Sequence, residues 1–112
     1  MSDKIDQLFG YVQERCLWQF FSRSKDRQEN IDGIIAKATD LLTGKELSLD
    51  TPMDKLFYAD AKIMVADFKQ RFPWVESTGP AQMRELMHQL KDRLVDIAIT
   101  GSQNDELNHS LY

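Results

Sequence analysis

The sequence predicts an all-α protein, a compact bundle of about four helices with a docked C-terminal tail, and three observations lead there. Apolar residues recur at steps of three and four through four separate stretches. Glycine, proline or a capping side chain stands at most of the boundaries between them. The one short run that alternates like a strand lies inside the last of these stretches. With 112 residues the chain makes a single domain, residues 1–112, and folding at this size buries roughly two thirds of the unfolded surface.

In the first stretch Ile5, Leu8, Phe9, Val12, Cys16 and Phe20 share one helical face, and Asp3 is placed to accept the first unpaired amide hydrogens. This spacing predicts a helix over about residues 4–21. A polar and charged interval follows, and the period resumes with Ile31, Ile34, Ile35, Ala38, Leu41 and Leu42 until Gly44 offers a left-handed stop. The second helix therefore covers about residues 26–43.

Thr51 and Pro52 form a strong start signal, a cap followed by a residue whose missing amide hydrogen costs nothing there, and Asp54 adds an acidic first turn. Met53, Leu56, Phe57, Ile63, Met64, Phe68 and Phe72 supply the apolar face of this third helix. Pro73 ends it near Arg71 by biasing Phe72 away from helical angles. Gly79 and Pro80 open the fourth helix, about residues 81–100, where Met83, Leu86, Met87, Leu90, Leu94 and Ile97 keep the step and Gly101 is the expected stop. Val95, Ile97 and Ile99 alternate and are β-branched, so a short strand ending at Thr100 competes with the end of this helix. Residues 102–112 show no sustained period but finish in Leu111 and Tyr112, which gain little in water, and the expectation is that this tail docks.

Composition narrows the partners. A net charge of −4 and a pI near 5.1 repel phosphate backbones, and the cluster Arg23, Lys25 and Arg27 is diluted by Asp26 and Glu29, so no nucleic acid is expected. Apolar runs are only a few residues long, which excludes a helical membrane span. The single cysteine, Cys16, has no intramolecular disulfide partner. Together with a start unlike a signal peptide, this points to the reducing cytoplasm.

Sites for chemistry are sparse. A metal centre needs several converging ligands, and Cys16, His88 and His109 lie on three different segments. Cys16 on the first apolar face reads as a small core hydrophobe, with a soft contact to a metallocluster as its functional alternative. His88 reads as a surface or boundary residue. No Ser-His-Asp order, phosphate-cradling glycine loop or dinucleotide fingerprint occurs, so no catalytic residue is assigned. Asp60 with Asp67 and Asp92 with Asp96 read as solvated helix faces. The positive signal is aromatic: Leu17, Trp18, Phe20 and Phe21 put apolar groups on more than one face of a short segment closed by Arg23. Tryptophan and arginine are the residues most enriched at the energetic centres of interfaces, which makes Trp18, Phe21 and Arg23 candidates for partner binding. Filling the core is the competing role of Trp18, and packing across helix ends that of Trp74.

The blocks Arg15-Cys16-Leu17-Trp18-Gln19-Phe20-Phe21-Ser22-Arg23 with Asp26-Arg27, Leu56-Phe57-Tyr58-Ala59-Asp60-Ala61, Arg71-Phe72-Pro73-Trp74, and Ile99-Thr100 with Glu106-Leu107-Asn108 and Leu111-Tyr112 resemble the delta subunit of the alternative nitrogenases, in order and spacing, from Tyr11 to Tyr112. Phe20-Phe21-Ser22-Arg23, Leu56-Phe57-Tyr58-Ala59, Arg93-Leu94-Val95-Asp96 and the Asn108-His109 ending are more similar to the vanadium-dependent branch, which is the one favoured; Thr100-Gly101-Ser102 is closer to the iron-only branch. Ser24-Lys25 departs from both.

The resemblance implies a small helical accessory subunit that binds the cofactor-carrying alpha subunit in a complex with beta. It implies a role in delivering the iron-vanadium or iron-only cofactor to the apo-enzyme, either as a docking protein or, alternatively, as a transient carrier. Dinitrogen reduction, the cofactor and the P-cluster then belong to the partner subunits, and this chain holds no cofactor stably. Trp18, Phe21, Arg23, Trp74, Leu111 and Tyr112 are the expected partner-binding residues, with Cys16, His88 and His109 as lesser candidates for touching the cluster. A chain isolated from such partners exposes apolar area and is expected to self-associate.

Overall fold

The computed structural model describes residues 3–14 and 27–111, with side chains at residues 3–14 and 28–97. Four α-helices are present among the described residues and no strand: α1 Asp3–Glu14, α2 Arg27–Thr43, α3 Pro52–Arg71 and α4 Pro80–Leu111. A 3-10 turn, Pro73–Val75, joins α3 to the approach of α4. The all-α bundle expected from the apolar period is what forms.

Local chemistry sets the boundaries. Gly44 takes φ 74° at the end of α2, and the Lys45 amide then donates to the Asp40 carbonyl at 3.0 Å, the six-to-one closure that a left-handed glycine permits. At the start of α3 the Asp54 amide donates to Thr51 Oγ1 at 3.0 Å, and the Thr51 amide donates to the Asp54 carboxylate at 3.2 Å. Two amide hydrogens that the helix cannot use are satisfied reciprocally. Phe72 leaves helical angles before Pro73, at φ −124° and ψ 89°, because the proline ring crowds the residue before it.

The expected stop of α4 at Gly101 is corrected, and the competing strand is not found. The helix continues through Gly101 to Leu111, and no strand forms at residues 95–100. A glycine inside a helix costs about 1 kcal/mol relative to alanine but ends it only when the backbone turns left-handed, as Gly44 does. The β-branched run costs only tenths of a kcal/mol per residue, less than the period through Leu90 and Leu94 gains by packing. Residues 102–111 are thus helix in the backbone; the docking expected of Leu111 and Tyr112 lies outside the described side chains. Residues 15–26, which hold the rest of the expected first helix, lie outside the described residues too.

The core is built from one stripe of each helix. Leu8, Tyr11 and Val12 of α1, Ile31 and Ala38 of α2, Phe68 of α3, and Met83, Leu90 and Leu94 of α4 are all essentially inaccessible. α2 packs on both α3 and α4, and α1 packs on α4. The α2 and α3 surfaces approach closely at Gly33, where a Cβ atom would stand 2.3 Å from the Phe57 ring. Tyr11 turns its ring edge to Phe68, 5.2 Å between centroids at 73°, and its hydroxyl donates to Asp67. Lys37, buried in α2, donates to the Ser48 carbonyl and faces the Asp54 carboxylate at 3.5 Å, which pins the 45–50 connection against both helices.

The apolar face expected for α3 is also corrected. Its buried residues are Ala61, Met64, Val65 and Phe68, whereas Met53, Leu56 and Ile63 are 42%, 61% and 52% exposed. At 100° per residue Leu56 and Ile63 point nearly opposite to the Ala61 and Phe68 stripe, so the apolar residues of this helix belong to two faces.

Candidate partner-binding surface

Of the residues singled out in the sequence, the described side chains include Trp74 and His88. Trp18, Phe21, Arg23, Cys16, His109, Leu111 and Tyr112 lie outside them. Trp74 sits in the Pro73–Val75 turn and is half-buried. Its ring stacks on Phe72 at 5.9 Å and 26°, and its indole N–H donates to the Gln7 side chain at 2.8 Å. The Lys4 ammonium lies 5.1 Å from the ring centre. Trp74 thus packs across the end of α3 onto α1, the competing role noted above, and stays partly exposed.

His88 is exposed on α4, 3.4 Å from the Asp92 carboxylate one turn on. It borders a groove of about 400 Å³ between α2 and α4, lined also by Asp32, Thr39, Asp40 and Lys91. Among the described residues no three histidine, cysteine or acidic side chains are placed to share a metal ion.

Charged contacts hold the helices in relation to each other. The Arg71 guanidinium makes a two-pronged contact with Glu14, at 3.0 and 3.2 Å, and lies 5.4 Å from the Tyr11 ring centre. The hydrogen bond to Glu14 is the main cause that pushes the Arg71 guanidinium above its ordinary value. Arg93 of α4 reaches Asp6 of α1 at 2.8 Å and covers the Phe9 ring at 4.2 Å. Partial burial works to raise the Asp54 pKa, but the Thr51 hydrogen bonds and the Lys37 ammonium together hold it below the ordinary value.

The side chains that sequence reasoning missed are Leu56 and Ile63. Grouped there with the core of α3, they stand outside it, and Leu56 joins Met53 and Phe57 in lining a groove of about 280 Å³ between α2 and α3. The signal that finds them is a second period, offset by half a turn from that of Ala61, Met64, Val65 and Phe68.

These features define a small helical protein that offers apolar side chains on the back of one helix, with a groove on either side of α2. A family model described as "Vanadium/alternative nitrogenase delta subunit" matches residues 2–112. The nitrogenase iron-iron protein delta chain of Clostridium pasteurianum is 40% identical over 109 residues, covering 97% of this chain and 94% of that protein. Its counterpart from Rhodospirillum rubrum is 41% identical over 112 residues, covering 100% and 97%. That from Azomonas macrocytogenes is 33% identical over 112 residues, with both chains covered in full. The chain belongs to the delta subunit family of the vanadium and alternative nitrogenases, and is accordingly a subunit of a nitrogenase complex.

Proposed function

We propose that this chain is a non-catalytic interaction subunit that binds the cofactor-carrying alpha subunit, in a complex that also contains beta, and supports insertion of the metallocluster into the apo-enzyme. The observation that carries the reading is the match along nearly the whole chain to proteins named as delta chains of a nitrogenase. Dinitrogen is reduced on the cofactor of the partner, the P-cluster also lies in the partner subunits, and this chain contributes surface. Trp18, Phe21 and Arg23, with Leu111, Tyr112 and the accessible part of Trp74, are the partner-facing residues in this reading. The complex acts in the reducing cytoplasm.

Capture of alpha and beta by the tagged chain tests it. Folded Trp18→Ala and Arg23→Ala variants are expected to capture them about tenfold less well or worse, since losing a central interface side chain costs about 2 kcal/mol or more. Undiminished capture by both overturns the surface. Cofactor insertion is tested by reconstituting cofactor-free alpha and beta with and without this chain; equal rates overturn that role. We read the cofactor as iron-vanadium on the residue blocks named above, although the relatives described are iron-iron proteins by name. Vanadium in the co-purified complex supports this, and iron alone overturns it.

A further inference from the structure

α3 carries two apolar stripes on opposite sides. The inner one is buried in the core; the outer one runs Leu56, Ala59, Ile63, Ala66, at steps of three, four and three, and all four residues are exposed. A three-four spacing repeated every seven residues is the register in which one helix seats another, and small residues at alternate seam positions let the two backbones approach. The edges of the seam are regular as well. Lys55, Lys62 and Lys69 recur every seven residues along one side and are exposed. Met53, Asp60 and Asp67 recur along the other, where Asp67 accepts the Tyr11 hydroxyl and so is engaged with α1. Next to that second edge the groove of about 280 Å³ lies between α2 and α3, with Ile34 and Phe57 among its lining residues.

We propose that the outer seam of α3 is a helix-docking surface. Its occupant is an amphipathic helix of a larger chain of the complex, with an apolar stripe edged by carboxylates where it meets Lys55, Lys62 and Lys69. This rests on the reading of the chain as an interface subunit and assigns it a second surface, apart from the aromatic block at residues 16–23. Charge selects the occupant: a row of three lysines favours an acidic edge and opposes a basic one. A second copy of this chain fits poorly. Antiparallel pairing sets lysine edge against lysine edge, and parallel pairing sets the lysines against Asp60 and Asp67, of which Asp67 is already engaged with α1. Two heptads of seam, half of it alanine, also fall short of the three or four that a free-standing coiled coil needs. A helix already held rigid in a larger chain has less ordering entropy to lose, and a short seam suffices for it. The adjoining groove takes an apolar side chain from such a helix.

The test uses the full chain assembled with its alpha and beta partners, with photoreactive benzoylphenylalanine in place of Ile63. The expected crosslink lands in a helix of a larger chain that carries Asp or Glu along one edge of its apolar stripe. Leu56→Asp combined with Ile63→Asp is expected to lower capture of the larger chains at least tenfold, and so is the reversal Lys55→Glu, Lys62→Glu, Lys69→Glu. Circular dichroism checks that each variant keeps wild-type helix content; the crosslink needs no charged substitution and decides the matter if a variant fails to fold. An assembly that forms, gives no crosslink from position 63 and captures the seam variants like wild type overturns the seam while the subunit reading stands. A crosslink from position 63 only to another copy of this chain overturns the proposed occupant. If the wild-type chain forms no assembly at all, both readings fall.

Discussion

Gly33 and Gly10 stand in the interiors of two helices and face opposite surroundings, so the same substitution should act on them with opposite sign. A Cβ atom at Gly33 meets three Phe57 ring atoms at 2.3 to 2.7 Å. That ring packs against the core, and moving it costs about 1–3 kcal/mol, as overpacking generally does. The gain in helix propensity, about 1 kcal/mol, offsets only part of this. Gly33→Ala is therefore expected to lower stability in urea titrations. Gly10 has nothing within 4 Å of a built Cβ, and Gly10→Ala is expected to raise stability by up to about 1 kcal/mol. Equal signs for the two variants would show that the Phe57 contact does not govern Gly33. In the sequence the two glycines look alike, each isolated within an apolar period. The ring that separates them comes from a different helix, so one-dimensional spacing cannot reveal it.

A capped helix start is more legible than a helix face, because the cap is made by neighbours along the chain. Thr51, Pro52 and Asp54 announce the start of α3, and the reciprocal hydrogen bonds form there. Thr51→Ala is expected to cost about 1 kcal/mol by chemical denaturation, the usual loss for a cap. The same end responds to acid. A carboxylate with a lowered folded-state pKa adds stability above its unfolded value, 3.8 for Asp54, and loses it as pH falls through the lower folded value. Wild type should therefore lose more stability on acidification below about pH 4 than Asp54→Asn, compared by urea titration at each pH. An identical pH dependence in the two proteins would remove Asp54 from the acid response. Gly101 and the outer side of α3 mislead for a shared reason. A stop depends on the sign of φ, and a face depends on which of two apolar stripes meets its neighbours; local composition determines neither.

Across the whole molecule, apolar burial holds α1 in place more than its ion pairs do. Arg71 with Glu14 and Arg93 with Asp6 are exposed contacts, and such pairs contribute roughly 0–1 kcal/mol each. Leu8 is fully buried in the core. Leu8→Ala is expected to destabilise by about 2–5 kcal/mol, against about 1 kcal/mol or less for Arg93→Ala. Denaturant midpoints at low and high salt check both, with salt weakening only the second contribution. A larger loss from Arg93→Ala would place the grip on α1 in its charges. The four-helix architecture was readable from periodicity because each helix has to bury one stripe. Membership of a nitrogenase complex was readable through resemblance, and the packing pattern offered only the aromatic surplus at residues 17–21 as a hint of a partner, since a surface awaiting one obeys no internal packing rule. The 20 residues of α3 answer to both kinds of rule. Inserting or deleting one residue within Pro52–Arg71 would turn everything beyond it by about 100°, rotating the core stripe and the outer seam out of line together. Point substitutions on either side of this helix can be absorbed one at a time, whereas its length can drift only if both surfaces are rebuilt at once.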